Sequence, residues 1–286
     1  MLEYSELKVQ VELGPVSCLP DDREVKQGIR RNFARRARSY DRHAEMQRRM
    51  AHGLAAAAGE PLARAGRILE IGCGTGYLTR LLRQANRAAR LAALDLDAAL
   101  VDAARRRLGP ETGVAWLVAD GETPLRGEYD LIIANATFQW FTRPDETLAA
   151  LYRNLAPGGV LAFSTLGPRT FQELAESLNR AARSLNLAAV PPIPAQGFGD
   201  EEAWSRRLYR AGFPQPRLAR KMATATFPSV KEFLQALQAT GATNPRPGCY
   251  SPRLLRALMA AYETHYGKDG AIPVSYEMIW AVADKP

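Results

Sequence analysis

Residues 67–77 read RILEIGCGTGY, an apolar run that contains the acid Glu70 and leads directly into three alternating glycines, Gly72, Gly74 and Gly76. The helical pattern YLTRLLRQA begins at once behind them. Glycine lets the backbone turn tightly and lets a ligand approach it closely. A glycine-rich turn between a strand and a helix indicates a nucleotide-like ligand, but the spacing taken alone also fits a tight turn that binds nothing.

The chain around this stretch alternates short apolar runs with helical patterns. The apolar runs are RILEIG, LAALDLD, VAWLVAD, YDLIIAN and VLAFSTL. They predict five buried strands joined by helices, that is, an α/β fold with a doubly wound, mostly parallel sheet. Beyond residue 167, further helical patterns surround the strand-like runs RLARKMATATF and IPVSYEMIWAVA. We therefore predict helical additions on the substrate side, at about residues 168–265.

Acids stand at three successive strand ends. Glu70 precedes the glycine turn, where a carboxylate would repel a pyrophosphate but suits a cationic ligand. Asp95 ends the second run, where a carboxylate can accept hydrogen bonds from ribose hydroxyls; Asp97 is the competing candidate. Asp120, followed by Gly121, is placed to bind an adenine amino group. S-adenosylmethionine, which carries a sulfonium and an ammonium, meets these requirements.

The predicted site combines cofactor-binding and acceptor-side residues. The cofactor set comprises Glu70, Gly72, Gly74, Gly76, Asp95, Leu96, Asp120, Gly121 and Asn135. Asn135 also belongs to the catalytic set, because it ends the fourth strand beside the expected methyl group. Gln139, Trp140 and Phe141 would line the acceptor side. Arg169, just after the fifth strand, completes the catalytic set; the resemblance described below implies an acceptor carboxylate, and a buried carboxylate needs a cation or several donors.

Composition limits the classes of protein. The chain has 286 residues, of which 47% are hydrophobic, and carries a net charge of +8. Its 3 cysteines are widely spaced and predict neither a disulfide framework nor a metal site. No apolar run approaches the roughly 18 residues of a membrane span, and no signal pattern is visible. We expect a soluble cytoplasmic protein without a metal.

The segment before the glycine turn divides into two parts. Residues 1–24 show no clear period and predict a loose extension, whereas residues 25–66 predict a helical lid. One face of the lid helix is apolar. The opposite face is a stripe of arginines, Arg31, Arg35, Arg38, Arg42 and Arg49. Residues 25–50 hold nine basic and two acidic groups, so this stripe suits an anionic partner.

Four stretches resemble the successive motifs of class I S-adenosylmethionine-dependent methyltransferases. They are LEIGCGTGYLTRLL at 69–82, LDLDAALVDAARR at 94–106, VADGETPL at 118–125 and YDLIIANATFQWF at 129–141. The resemblance covers about residues 25–165 and implies a Rossmann-like methyltransferase domain, here residues 67–286. It also implies that the N-terminal helix covers the cofactor, with Tyr40 as a catalytic residue that reaches toward it.

A narrower resemblance extends to the C-terminus. The stretches FARRARSYDRHAEMQRRMA, NATFQWF, LGPRTFQEL, FLQALQATGATN and IPVSYEMIWAVA are similar to the malonyl-acyl-carrier-protein O-methyltransferase family of biotin biosynthesis. That family methylates the free carboxylate of a malonyl thioester. The resemblance therefore implies an acyl-carrier protein bearing a malonyl group as partner, or alternatively malonyl-CoA. Residues 1–24 and the loop NLAAVPPIPAQGFG depart from the family pattern.

Three other functions stay open at this point. Related enzymes methylate other small carboxylates or quinone precursors. A nucleic-acid methyltransferase would use the basic stretch, but the fourth strand ends in NATF and lacks the N/D-P-P-Y/F signature of that class. A non-catalytic assembly protein could keep the fold, but the glycine turn and the three acids are all present. The sequence does not indicate an oligomeric state.

Overall fold

The computed structural model describes Lys26 and residues 44–110, 113–123, 127–188, 192–239 and 250–286. In these ranges the chain forms a seven-stranded sheet in the order β3-β2-β1-β4-β5-β7-β6. The strands are β1 (Arg67–Ile71), β2 (Arg90–Asp95), β3 (Val114–Val118), β4 (Tyr129–Asn135), β5 (Leu155–Leu166), β6 (Arg217–Phe227) and β7 (Ile272–Asp284). Strands β1 to β5 run parallel, and β7 is antiparallel to both β5 and β6. The prediction of a doubly wound, mostly parallel sheet is confirmed.

The helices lie on both faces of the sheet and beyond one end of it. They are α1 (Glu45–Arg64), α2 (Tyr77–Ala85), α3 (Ala98–Leu108), α4 (Pro144–Asn154), α5 (Gln172–Ser184), α6 (Glu201–Ala211), α7 (Val230–Ala239) and α8 (Pro252–Tyr266). Because side chains alternate along a strand, Ile68 and Leu131 face α1 and α2, while Leu69 and Ile132 face α4 and α6. Both faces of the central strands are buried, as expected of a parallel sheet.

An aromatic stack forms the centre of the α4–α6 face. Phe138 lies 4.0 Å from Phe163, centroid to centroid, with nearly parallel rings, and the edge of Trp204 meets both of them. All three side chains are buried. Such contacts contribute about 0.5–1.5 kcal/mol each beyond the buried area. The stack fixes the turn after β4 and so the wall of the site described below.

The last two strands continue past the end of β5. Leu166 of β5 pairs with Met278, but β7 and β6 remain paired as far as Ile272 and Phe227. This two-stranded extension contributes Val274 to a separate apolar cluster with α5, α7 and α8. Of the predicted helical additions at about 168–265, α5, α7 and α8 therefore pack together at the end of the sheet where β5 finishes, whereas α6 lies beside α4 on one face of the sheet.

Two details differ from the sequence prediction. Strand β3 is not buried: Val118 is 56% exposed, because β3 is the edge strand of the sheet. The fifth strand does not begin with the apolar run VLAFSTL at Val160. Instead α4 ends at Asn154, and β5 already begins at Leu155, with an irregular register opposite Tyr129.

The predicted lid, residues 25–66, is described only in part. Residues 45–64 form α1, which buries Met50, Leu54 and Leu62 and contacts β4, β5 and β7. Residues 1–25 and 27–43 lie outside the described residues, and with them Tyr40 and most of the arginine stripe. Arg49 is described, and pairs with Glu45 on the surface of α1. No helix in the described ranges is both long and apolar enough to cross a membrane.

Candidate active site

The glycine turn between β1 and α2 adopts a conformation that side chains disfavour. Gly72 and Gly74 have φ angles of 72° and 53°, in the left-handed region that glycine tolerates without strain. The amides of Gly72 and Cys73 donate to the Leu94 carbonyl at 2.8 and 2.9 Å. The turn is thereby held against the end of β2.

The three glycines serve different purposes. A Cβ at Gly72 would lie 2.2 Å from Oγ1 of Thr137, so the turn there presses against the segment after β4. A Cβ at Gly74 would meet nothing within 4 Å, and Gly74 lines the cavity described next. Gly76 caps α2, and a Cβ there would lie 2.8 Å from Leu108. The structure thus places Gly76, a predicted cofactor residue, in a contact between helices and outside the cavity lining.

A cavity opens at the carboxyl ends of β1, β2 and β4. It holds about 810 Å³ of empty space, part of it open to solvent. The predicted site residues that line it are Gly72, Gly74, Asp95, Leu96, Asp120, Gly121 and Asn135. Asp97, Glu122 and Lys26 line it as well. Among the described residues of its lining, four carboxylates and one ammonium make the cavity acidic, which suits a ligand that carries positive charge.

Asp95 connects the cavity to the glycine turn. Its Oδ2 accepts from the Gly74 amide at 2.9 Å, and its Oδ1 accepts from the Asp97 amide at 3.0 Å. Burial raises the pKa of Asp95 to about 6, although these backbone hydrogen bonds oppose the rise. Asp97 instead caps α3, since its Oδ1 accepts from Ala99 and Leu100. This geometry favours Asp95 over Asp97 as the acceptor for ribose hydroxyls.

Glu70, the acid at the edge of the glycine turn, lies behind the turn. It is 1% exposed and does not line the cavity. Because side chains alternate along a strand, the Glu70 side chain lies on the same face of β1 as Ile68, toward α1 and α2. Glu70 is therefore next to the turn in sequence, but its side chain points away from the turn. Burial raises the pKa of Glu70 to about 8, and the charge of Asp95 acts in the same direction. Its Oε2 has no hydrogen-bond partner among the described residues.

At the other end of the cavity, an ion-pair cluster joins two acids to one lysine. Lys26 Nζ lies 2.6 Å from Oδ2 of Asp120 and 2.5 Å from Oε2 of Glu122. The side chain of Glu122 is only 2% exposed. It also accepts from Oγ1 of Thr142 at 3.1 Å and from the Arg143 amide at 2.6 Å. The sequence prediction missed Lys26 and Glu122; a second acid two residues after Asp120 was the available signal.

Asn135 lies where β4 reaches the cavity, and both ends of its amide are engaged. Nδ2 donates to the Gln47 carbonyl at 3.1 Å, and Oδ1 accepts from the Ser164 hydroxyl at 2.7 Å. Asn135 therefore ties β4 to α1 and β5 while it lines the cavity. The next residue, Ala136, has a φ of 51°. A non-glycine residue in that region is strained, and such strain concentrates at functional sites.

The side of the cavity that is predicted to receive the acceptor is aromatic. Trp140 and Phe141 line it, and Trp140 meets Phe198 edge-on at 6.2 Å. Gln139 does not line the cavity. Its Nε2 donates a hydrogen bond to the Ala136 carbonyl, and its Oε1 accepts one from the Thr165 hydroxyl. An aromatic wall of this kind excludes water from whatever binds beside it.

Arg169 lies outside the cavity lining. Its side chain is exposed, and it is the backbone amide that is engaged, donating to Oε2 of buried Glu277 at 2.8 Å. The chain turns away from the sheet here, so the side chain after β5 faces solvent. Its predicted contact with an acceptor carboxylate stays a prediction, as does the catalytic role of Tyr40.

Comparison with known proteins places this geometry in a family. A family model described as "Methyltransferase domain" matches residues 40–244. The malonyl-[acyl-carrier protein] O-methyltransferase of Anoxybacillus flavithermus is 39% identical over 258 residues, which cover 89% of this chain and 96% of the relative. The protein of the same name from Brevibacillus brevis is 35% identical over 268 residues, covering 90% and 96%. The chain belongs to the malonyl-[acyl-carrier protein] O-methyltransferase family, within the methyltransferases.

Solved structures agree on the fold. The Haemonchus contortus phosphoethanolamine N-methyltransferase 2, solved in complex with S-adenosyl-L-methionine, aligns over 96% of this chain and 61% of its own, with a TM-score of 0.59 and 15% identity. The YcgJ protein from Bacillus subtilis aligns over 82% and 97%, with a TM-score of 0.55 and 14% identity. The predicted Rossmann-like methyltransferase fold is confirmed.

Proposed function

We propose that this protein transfers a methyl group from S-adenosylmethionine to the free carboxylate of a malonyl group carried by an acyl-carrier protein. The observation that carries the proposal is the acidic cavity at the strand ends, closed by the glycine turn. The relatives that match about nine-tenths of the chain bear the name of this reaction. In the family the product is a malonyl methyl ester of biotin biosynthesis.

The cavity residues fit this cofactor. The free space where a Cβ of Gly74 would stand leaves room for a ligand close to the backbone, and four carboxylates suit its two positive charges. Asp95 would accept from the ribose hydroxyls, and Asp120 with Gly121 would bind the adenine. Gly72, Gly74 and Asn135 would adjoin the rest of the cofactor. When bound, the cofactor supplies an electrophilic methyl group on its sulfonium.

The chain's own residues position the reactants and exclude water. A malonyl carboxylate is already ionised at neutral pH, so the reaction needs no general base. Trp140 and Phe141 would strip water from it, while Asn135, fixed between Gln47 and Ser164, holds the end of β4 rigid. Positioning of this kind can lower a barrier by about 7–11 kcal/mol.

The carrier protein is the proposed partner, and the arginine stripe is its proposed docking surface. Of this stripe, Arg31, Arg35, Arg38 and Arg42 lie outside the described residues, so the argument rests on charge. Carrier proteins of this type are acidic, and exposed charge pairs are screened by salt beyond about 8 Å at physiological ionic strength. The KM for malonyl-carrier protein should therefore rise with salt more steeply than the KM for free malonyl-CoA.

The deciding experiment is a methyl-transfer assay with labelled S-adenosylmethionine and a panel of acceptors. Malonyl-carrier protein should accept the label. Acetyl-carrier protein, which lacks the free carboxylate, is the matched control and should not. Malonyl-CoA tests the need for the carrier, and tRNA and DNA test the nucleic-acid alternative. Transfer to none of the malonyl thioesters, or preferential transfer to nucleic acid, would refute the proposal.

A further inference from the structure

Lys26 is the one basic side chain among the described residues that line the cavity. It reaches Asp120, the acid assigned to adenine, from a position 94 residues earlier in the chain. Its side chain is only 16% exposed. An ammonium inside an acidic cavity that would receive two further positive charges requires an explanation.

Glu122 supplies that explanation. Its carboxylate is almost fully buried, and the Thr142 hydroxyl and Arg143 amide are neutral donors that leave its charge uncompensated. A buried charge is costly unless it is paired. Burial alone would lower the pKa of Lys26, but the hydrogen bonds and charges of Asp120 and Glu122 outweigh it and raise that pKa. The Lys26–Glu122 pair is therefore a fixed part of the cavity wall.

The same ammonium also contacts Asp120. One oxygen of Asp120 accepts from Lys26, and the other accepts from the Glu122 amide at 3.0 Å. Without the ammonium, two carboxylates that now contact one nitrogen would face each other directly and repel. Asp120, whose side chain is 28% exposed, would then turn toward solvent. A carboxylate oxygen can accept more than one hydrogen bond, so the pairing leaves room for a further donor.

We propose that Lys26 is a positioning residue for the cofactor: anchored on buried Glu122, it holds the Asp120 carboxylate in the orientation that binds the adenine amino group. This inference rests on the proposed function, in which the cavity binds S-adenosylmethionine. It assigns a role in the cofactor site to a residue that precedes the first strand and all of the motifs quoted above. Lys26 acts through Asp120 and does not touch the reacting atoms.

The test measures binding by calorimetry, with S-adenosylhomocysteine and an analogue in which hydrogen replaces the adenine amino group. Lys26→Met should weaken S-adenosylhomocysteine binding about tenfold. It should weaken the analogue much less, because the analogue has no amino group for Asp120 to accept. Lys26→Arg, which keeps the charge, should restore part of the affinity. Lys268→Met, an exposed lysine in a turn remote from the cavity, is the matched control.

A double-mutant cycle tests the anchoring step. In a Glu122→Gln background, Lys26→Met should weaken S-adenosylhomocysteine binding by less than about threefold, since the Glu122 carboxylate that anchors Lys26 is already lost. Equal weakening of both ligands would mean a merely structural role. Unchanged binding by Lys26→Met would mean that Lys26 plays no part in binding, and tighter binding would mean that Lys26 competes with the cofactor. Any of these results would overturn the inference. Failure of the wild-type protein itself to bind S-adenosylhomocysteine would instead refute the proposed function.

Discussion

The amide of Gly74 donates a 2.9 Å hydrogen bond to Oδ2 of Asp95, and this contact joins the glycine turn to the end of β2. The two residues are 21 positions apart in the chain. Backbone donation to the carboxylate keeps part of Asp95 fixed, while the cavity leaves it accessible to a ligand. We therefore expect the protonation state of this carboxylate to affect cofactor affinity.

Cofactor affinity should depend on pH through Asp95. Ribose hydroxyls donate to the ionised carboxylate, and the pKa of Asp95 in the free protein is about 6. Affinity for S-adenosylhomocysteine should rise with pH and level off above about pH 7, and at pH 5 it should be about tenfold weaker. Calorimetry across this range measures the effect. Asp95→Asn should flatten the profile and weaken binding by about 1–3 kcal/mol, whereas the exposed control Asp102→Asn should keep the wild-type profile.

Glu70 should make the free protein less stable at high pH. The folded protein keeps the Glu70 proton up to about pH 8, whereas the unfolded chain loses it near 4.5. The free energy of unfolding therefore falls as pH rises between these values. Between pH 6 and 8, above the pKa of Asp95, the fall reports mainly on Glu70.

Glu70→Gln removes this titration and should flatten the fall. At pH 9 the variant should be more stable than the wild type by about 5 kcal/mol, at about 1.4 kcal/mol per unit of the shift from 4.5 to about 8. Urea unfolding at several pH values gives the comparison. Glu263→Gln, at an exposed position on α8, is the control. A variant that remains as pH-sensitive as the wild type would show that Glu70 does not hold its proton in the folded state.

Two glycines of the turn should respond differently to alanine. Both residues have positive φ, which costs a side chain roughly 1–2 kcal/mol. Only at Gly72 does the new Cβ also collide, with Thr137. Gly72→Ala should therefore destabilise the fold by about 1–3 kcal/mol more than Gly74→Ala, as measured by urea unfolding. Gly74→Ala should instead reduce cofactor affinity, because its Cβ enters the cavity. Equal losses of stability in the two variants would contradict the assignment of Gly72 to a close contact and of Gly74 to the cavity wall.

Local patterns predicted those parts of the fold that depend on neighbours in sequence. Each apolar run became a strand, because a run of that length bounded by turn residues can be buried in a sheet, although β3 lies at the exposed edge. Asp95 and Asp120 reached the cavity because they stand at strand ends, and parallel strands end at the same edge of a sheet. The order of the strands was not predictable, since it depends on contacts between residues far apart in the chain.

The sequence could not separate a residue near the turn from a residue in the cavity. Glu70 and Gly76 both border the glycine turn, but one side chain points toward the helices behind the sheet and the other residue packs against α3. Lys26 was missed for the converse reason. It lies far from every motif, and only the folded chain brings its ammonium to Asp120.

The position of β7 between β5 and β6 has a consequence for how the protein is made. The turn after β5 is held by Glu277, which is 108 positions beyond Arg169. During synthesis on the ribosome, β1 to β5 emerge before β7 and can form a nearly complete parallel sheet. The long, apolar edge of β5 then remains unpaired until β7 is synthesised. An unpaired edge of this kind invites pairing with other chains. Nascent chains are therefore most exposed to aggregation between the synthesis of β5 and that of β7, and a slow ribosome over that interval would lower the yield of active protein.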